Sequence, residues 1–239
     1  MRGHSRRRSG RWRGNARRER TGDDCVPAGR WDDVASLPLR LVVLGDSIGY
    51  GQGARHPDER LGPRLAAALE DAGIAVDLHV LAVPRSTSAD LAAQVRRAEP
   101  LRPDLAVVVI GANDLARFVP PADAARALES AVVGLQAAGA DVVVVPAPDM
   151  SVVPFVPPAL RPVVQSACSA LQRTQQEVAR AAGAGFADIG PYVGAAFAAD
   201  PQLFSADRFH PSSAGYARIV EALTPTVVAA ARARRESAA

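Results

Sequence analysis

The chain of 239 residues contains no lysine, so arginine supplies all 28 of its basic side chains. It has only two cysteines, Cys25 and Cys168, which lie far apart and lack CxxC spacing, and this argues against a disulfide framework or a zinc site. Aromatic residues make up only 5% of the chain, so a core must be built mainly from Ala, Val and Leu. No apolar run approaches the roughly 20 residues of a membrane span, and the N-terminal segment lacks the apolar stretch of a secretory signal. These absences predict a cytoplasmic protein.

Charge is divided unevenly along the chain. Residues 1–30 contain 10 arginines and 3 acidic residues, whereas residues 31–239 contain 18 arginines and 22 acidic residues. The formal net charge of +3 therefore combines a basic N-terminal segment with a mildly acidic body, and we expect no nucleic-acid binding by the body. Residues 1–36 are interpreted as a flexible Arg-rich extension. It is either a disordered leader or mis-assigned start, or a segment that touches RNA or anionic lipid.

Strand and helix patterns alternate after this extension. The predicted strands are 39–44, 74–83, 105–110, 141–145 and 185–189. The predicted helices are 58–72, 88–98, 122–138, 159–182 and 212–234, with a Gly-rich loop at 46–57 and an irregular segment at 190–206. This alternation predicts a single three-layer α/β/α domain over residues 37–239, with a central parallel five-stranded sheet.

Polar turns follow three of the predicted strands. They are Gly45-Asp46-Ser47, Pro84-Arg85-Ser86 and Gly111-Ala112-Asn113-Asp114. Right-handed crossovers place the carboxyl ends of parallel strands at one edge of the sheet, where open α/β sheets bind their ligands. A serine on a tight turn at that edge presents its hydroxyl, so Ser47 is the candidate nucleophile.

A serine hydroxyl becomes a good nucleophile only when a base takes its proton. His210 has Asp207 three residues earlier, so a tight turn can bring the carboxylate against one ring nitrogen and leave the other for Ser47. His56, in the loop after the serine, is the alternative base. His79 lies inside a predicted strand, where a structural role is favoured.

Attack on a carbonyl creates an oxyanion, which needs preorganised hydrogen-bond donors. The candidate donors are the side-chain amide of Asn113 and the backbone N–H groups of Ser47 and Arg85. Asn113 is also explained as a turn residue that tolerates left-handed backbone. Its place at the same edge as Ser47 favours the donor role.

These motifs resemble the blocks of the SGNH or GDSL hydrolase superfamily of esterases and lipases. Gly45-Asp46-Ser47 resembles the block with the nucleophile, residues 111–114 resemble the block with the oxyanion-hole Asn, and Asp207-Arg208-Phe209-His210 resembles the block with the triad Asp and His. The blocks occur in the family's order and span residues 39 to about 225. The resemblance implies a flavodoxin-like fold, a Ser47–His210–Asp207 triad, hydrolysis through an acyl-enzyme, and neither metal nor cofactor.

One block departs from the family's pattern. The family usually has a glycine after the second strand, and its backbone N–H enters the oxyanion hole; the segment from Val83 to Leu91 aligns Arg85 with that glycine. If the turn needs a positive φ, a residue other than glycine costs about 1–2 kcal/mol. An Arg85 side chain that reaches over the pocket would favour an anionic substrate or leaving group.

The leading hypothesis is a serine esterase that acts on small-molecule carboxylic esters with short to medium acyl chains. The apolar loop at 152–156 predicts an acyl pocket that includes Val153 and Phe155, with packing against the following helix as the alternative.

Two other functions fit parts of the pattern. The same triad would serve an acyltransferase or a deacetylase that acts on a sugar or natural-product hydroxyl. A non-catalytic, flavodoxin-like module would use the glycine loop at 45–53 to bind phosphate or a nucleotide. That second alternative leaves Asn113, Asp207 and His210 without a role.

Overall fold

A computed structural model describes residues 37–238, in which five strands alternate with helices. The strands are β1 (Leu39–Gly45), β2 (Val76–Val80), β3 (Leu105–Val109), β4 (Asp141–Val145) and β5 (Gly185–Phe186). The helices are α1 (Ser47–Tyr50), α2 (Leu61–Asp71), α3 (Leu91–Ala98), α4 (Ala112–Ala116), α5 (Pro121–Ala137), α6 (Arg161–Ala181), α7 (Gly190–Ala199) and α8 (Ser213–Ala238). The predicted extension at residues 1–36 lies outside the described residues.

The sheet has the order β2-β1-β3-β4-β5, and every neighbouring pair of strands is parallel. This is the flavodoxin-like order, in which the strand order reverses between β1 and β3. The register pairs Gly45 with Val109, and Val109 with Val145. The ends of β1, β3 and β4 are therefore level and form one edge.

Alternate residues of the buried strands feed two apolar cores, one on each face of the sheet. Leu41 and Val43 pack with the buried faces of α2 and α8. Val42 and Leu44 point the other way and pack with α3 and α5. The helices thus cover both faces, and the predicted α/β/α layering is confirmed. No helix among residues 37–238 is both long and apolar enough to cross a membrane.

Both outer strands are shorter than predicted. The N–H groups of Leu81 and Ala82 both donate to the Val43 carbonyl, so the regular ladder of β2 ends at Val80. At the other edge, β5 covers only two residues. The chain turns directly after it, where the Ile189 N–H donates to the Ala187 carbonyl.

The segments predicted as irregular contain helix. The prediction for 190–206 was wrong over its first half, because α7 occupies Gly190–Ala199 and a 3₁₀ turn follows at Pro201–Leu203. Two glycines and a proline mask the helical pattern of α7, but Pro191 falls in its first turn, where the missing N–H is not needed. The predicted loop at 46–57 likewise begins with the one-turn helix α1.

Candidate active site

The end of β1 aims Ser47 at the carboxyl edge of the sheet. Gly45 has φ +130°, and a Cβ there would lie 1.7 Å from the Val109 carbonyl oxygen, so only glycine fits. The Asp46 carboxylate then accepts a hydrogen bond of 2.9 Å from the Ile48 N–H and caps α1. Ser47 is the first residue of α1 and is 5% exposed.

The loop before α8 is folded tightly around Asp207. Its Oδ1 accepts hydrogen bonds from the backbone N–H groups of Phe209 and His210, both at 2.9 Å, and from the Ser205 hydroxyl at 2.7 Å. Arg208 has a left-handed backbone with φ +57°, which closes the turn. These three hydrogen bonds hold the Asp207 carboxylate in place independently of its contact with the His210 imidazole.

The imidazole of His210 joins this loop to Ser47. Its Nδ1 lies 2.6 Å from Asp207 Oδ2, and its Nε2 lies 3.0 Å from Ser47 Oγ. Because an ionised carboxylate can only accept, Nδ1 carries the proton and Nε2 accepts from the serine hydroxyl. Burial acts to raise the pKa of Asp207, but hydrogen bonds from the His210 ring, from Ser205 and from two backbone N–H groups outweigh it and hold that pKa well below its usual value.

An apolar cavity opens beside Ser47 and His210, with about 850 Å³ of space including its mouth. Val153 is buried and lines it. Phe155 is not among the lining residues; its ring is exposed and stacks on Phe209, which does line the cavity, at 5.7 Å between centroids. Further lining side chains come from β3, β4, the loop after β4 and α7: Val109, Val145, Met150, Val152, Val193 and Phe197.

The three predicted oxyanion donors lie on α1, on the turn after β2 and on α4. Asn113 Nδ2 donates to the Ser86 carbonyl at 3.0 Å, which leaves its second amide hydrogen for a ligand. The backbone N–H groups of Ser47 and Arg85 have no acceptor within residues 37–238. Arg85 adopts φ +71°, so the turn does require the left-handed conformation. Its side chain is exposed and is not part of the cavity lining.

The sequence matches the GDSL-like lipase/acylhydrolase family over residues 43–218. The chain belongs to this family. It is 33% identical over 201 residues to a GDSL-like esterase of Mycobacterium tuberculosis, and the match covers 82% of this chain and 64% of that protein. The chain therefore spans less than two thirds of that relative's length.

Solved structures of similar proteins share the fold. The crystal structure of TesA superposes with a TM-score of 0.64 at 25% identity, over 80% of this chain and 99% of TesA. A lipase/acylhydrolase from Enterococcus faecalis gives a TM-score of 0.63 at 20% identity, over 80% of this chain and 96% of that one. The predicted membership of the SGNH/GDSL superfamily is confirmed.

The other histidines of this GDSL-like domain take different positions. His79 lies on the edge strand β2, with its Nε2 3.2 Å from the Asp77 carboxylate. His56 is exposed at the start of a 3₁₀ turn, Pro57–Glu59. The histidine that contacts the serine is His210. No group of three or more His, Cys, Asp or Glu side chains within residues 37–238 is arranged to hold a metal ion.

Two buried glutamines that sequence reasoning missed fasten the strand ends of the GDSL-like site. Gln94 accepts from the Gly45 N–H at 2.7 Å and donates to the Gly45 carbonyl at 2.9 Å. Gln175 accepts from the Ala147 N–H and donates to the Ile110 carbonyl, both at 2.8 Å. Gln94 lies among the apolar, buried residues of α3. A buried polar side chain needs hydrogen-bond partners, so a glutamine in that pattern is the sequence signal that could have indicated this contact.

The Asp46 carboxyl group of the GDSL motif lies next to the serine and is 1% exposed. Burial raises its pKa to about 7, helped by the nearby charge of Asp114 and opposed by the N–H groups of Ile48, Ala112 and Gly111. Asp46 therefore joins the start of α1 to the start of α4, and its charge changes near neutral pH.

Proposed function

We propose that the chain is a serine esterase that hydrolyses small-molecule carboxylic esters through an acyl-enzyme on Ser47. The observation that carries this proposal is the continuous path of 3.0 Å and 2.6 Å contacts from the Ser47 hydroxyl through His210 to Asp207. Membership of the GDSL-like lipase/acylhydrolase family supports the same class of reaction.

In the first half of the proposed reaction, Ser47 Oγ attacks the ester carbonyl carbon while His210 Nε2 takes the hydroxyl proton. The carbonyl electron pair moves to its oxygen, and the oxyanion accepts hydrogen bonds from the Ser47 and Arg85 N–H groups and the free amide hydrogen of Asn113. The tetrahedral intermediate collapses, the C–O bond to the alcohol breaks, and the imidazolium gives its proton to the leaving oxygen.

In the second half, water attacks the acyl-enzyme and gives a proton to His210. The second intermediate releases the carboxylic acid and returns the proton to Ser47. Asp207 stays ionised throughout, because its hydrogen bonds favour the carboxylate, and it stabilises the imidazolium that forms twice in each cycle.

The shape of the site supports an acyl group of short to medium length. The cavity beside Ser47 is lined mainly by apolar side chains such as Val153, and burying each methylene against them is favourable by about 0.8 kcal/mol. Asp149 also lines the cavity, and its carboxylate accepts a hydrogen bond of 2.9 Å from the Ser151 N–H.

A fluorophosphonate probe tests the proposal directly, because it reacts with an activated serine hydroxyl far faster than with an ordinary one. We expect labelling of the native chain and none of S47A. Hydrolysis of p-nitrophenyl esters from C2 to C12 by the same two proteins measures the acyl preference. Labelling that persists in S47A, or no ester hydrolysis at any length, contradicts the proposal.

A further inference from the structure

The turn that carries Arg85 is fastened to α4 by two side chains. Asn113 donates to the Ser86 carbonyl at 3.0 Å, and Arg117 Nη2 donates to the Arg85 carbonyl at 2.8 Å. Residues four apart on a helix lie on the same face, so Asn113 and Arg117 form a pair that binds two successive carbonyl groups. The sequence motifs explain Asn113 but assign nothing to Arg117.

Arg85 needs such a support. Its φ of +71° is unfavourable for a residue with a Cβ, and a strained conformation persists only where its surroundings hold it. The φ angle sets how the Arg85 N–H is turned relative to the Arg85–Ser86 peptide. Arg117 binds the carbonyl of that peptide and Asn113 binds the carbonyl of the next one. With both held, a return of Arg85 to negative φ would rotate its N–H away.

Other contacts of this turn lie further along the chain or act on the same peptide from its N–H side. Asp114 binds the N–H and hydroxyl of Ser88, both within 3.1 Å, but this is three residues further along the chain. The Ser86 N–H donates to the Val83 carbonyl at 3.2 Å and closes a four-residue turn with Arg85 at its third position, where type II turns have a positive φ. Gln94 Nε2 also donates to the Ser86 hydroxyl at 3.2 Å. Arg117 adds to these restraints by binding the carbonyl of the Arg85–Ser86 peptide.

Arg117 is itself held in position at the end of α4. Phe118 follows it with φ +54°, and the N–H groups of Phe118 and Val119 donate to the carbonyls of Leu115 and Asp114. This is a Schellman motif, which fixes the end of a helix. Within residues 37–238 neither Arg85 nor Arg117 forms an ion pair with an acidic side chain, so the carbonyl of Arg85 is the polar partner that the Arg117 guanidinium has.

We propose that Arg117 is a positioning residue that holds the Arg85 turn in its left-handed form and keeps the Arg85 N–H directed at the oxyanion. A glycine at position 85 would adopt the positive φ without strain. In this chain the hydrogen bond from Arg117 helps to offset the strain of an arginine there. The inference rests on the proposed function, since it assigns a support to one of the proposed oxyanion donors.

A double-mutant cycle on ester hydrolysis tests the idea. We expect R117A to lower kcat about 10-fold with little change in KM, which is less than the 10²–10³ for complete loss of a donor. R117K retains a positively charged hydrogen-bond donor and should recover part of the loss. In the R85G background the R117A substitution should cost less than about 2-fold, because glycine adopts positive φ without strain.

R102A is the matched control. Arg102 is exposed, also has positive φ (+45°), and precedes β3 at the opposite edge of the sheet, so its removal changes the net charge equally. The inference is overturned if R117A lowers kcat equally in both backgrounds, if R117A changes KM alone, or if R102A lowers kcat as much as R117A does.

Hydrogen exchange separates this inference from the proposed function. The hydrogen-bonded backbone amides of residues 86–88 should exchange faster in R117A than in the native chain, with or without ester hydrolysis. Unchanged exchange there overturns the role of Arg117 even if S47A proves the serine catalytic. If exchange is faster in R117A but the native chain hydrolyses no ester, the role of Arg117 in holding the turn is supported and the proposed esterase function is contradicted.

Discussion

Replacing Asp46 with asparagine should change how the stability of the domain depends on pH. The carboxyl group is buried beside Ser47, and burial raises its pKa from 3.8 to about 7. In the unfolded chain the same group titrates near its ordinary value. Between pH 4 and 7 the folded state therefore retains a proton that the unfolded state has lost, and the free energy of unfolding falls as the pH rises.

The size of this effect follows from the pKa. A change of one in pKa corresponds to about 1.4 kcal/mol, so above pH 7 the ionised Asp46 costs the folded state about 4 kcal/mol. Asparagine is uncharged, like the protonated carboxyl group, and retains an oxygen for the Ile48 N–H, but its NH2 cannot accept from the N–H groups of Gly111 and Ala112. We therefore expect D46N to be the less stable protein at pH 4 and to gain up to about 4 kcal/mol relative to the native chain between pH 4 and 8.

Urea denaturation followed by far-UV circular dichroism measures this difference from pH 4 to 8. D104N is a comparison for which the pKa shift, and therefore the expected pH dependence of stability, has the opposite sign. Burial opposes ionisation of Asp104, but hydrogen bonds from Arg40 lower its pKa, so D104N should lose stability near neutral pH and little at low pH. A stability difference between D46N and the native chain that stays constant from pH 4 to 8 would refute the reasoning.

Further substitutions test the site and its frame. D207N should lower kcat by about 10³–10⁴ with KM retained, because the amide stabilises neither the tautomer nor the imidazolium, and p-nitrophenyl butyrate kinetics measure this; a loss below 10-fold contradicts the role. V153F should shorten the longest acyl chain accepted in the C2–C12 ester series, whereas F155A should leave the preference unchanged, since Phe155 lies outside the cavity lining. G45A should prevent folding, seen as loss of soluble protein and helical signal, because its Cβ would lie 1.7 Å from the Val109 carbonyl oxygen.

Local patterns in the sequence were sufficient to predict the alternation of strands and helices and the parallel sheet. The strand predicted at 141–145 has the same bounds as β4. A short apolar run with turn residues on both sides fixes where a buried strand can begin and end. The contact between Ser47 and His210 follows from parallel topology, which places strand ends and the loops after them at one edge. The chemistry of the Asp207 turn then selects which histidine makes that contact.

What the sequence did not reveal depends on the path of the chain in space. Val153 faces the cavity and Phe155 does not, although the two are neighbours in one apolar segment, because the Asp149-capped turn at Met150–Val152 sets the direction of that loop. Gln94 binds a residue 49 positions away, and Arg117 binds one 32 positions away. Contacts at such separations leave no periodicity to detect.

The proposed oxyanion donors differ in how the fold supports them. Gly45 and Gly111 both have φ +130° and begin the turns that lead to Ser47 and Asn113, directly after central strands that buried glutamines fasten. The Arg85 turn comes five residues after an edge strand has left its ladder. Rigid strand ends fix two donors, whereas the third lies in a turn that is held by its own backbone hydrogen bond and by the side chains of Asn113 and Arg117. Substitutions at Arg117 should therefore change turnover without unfolding the sheet.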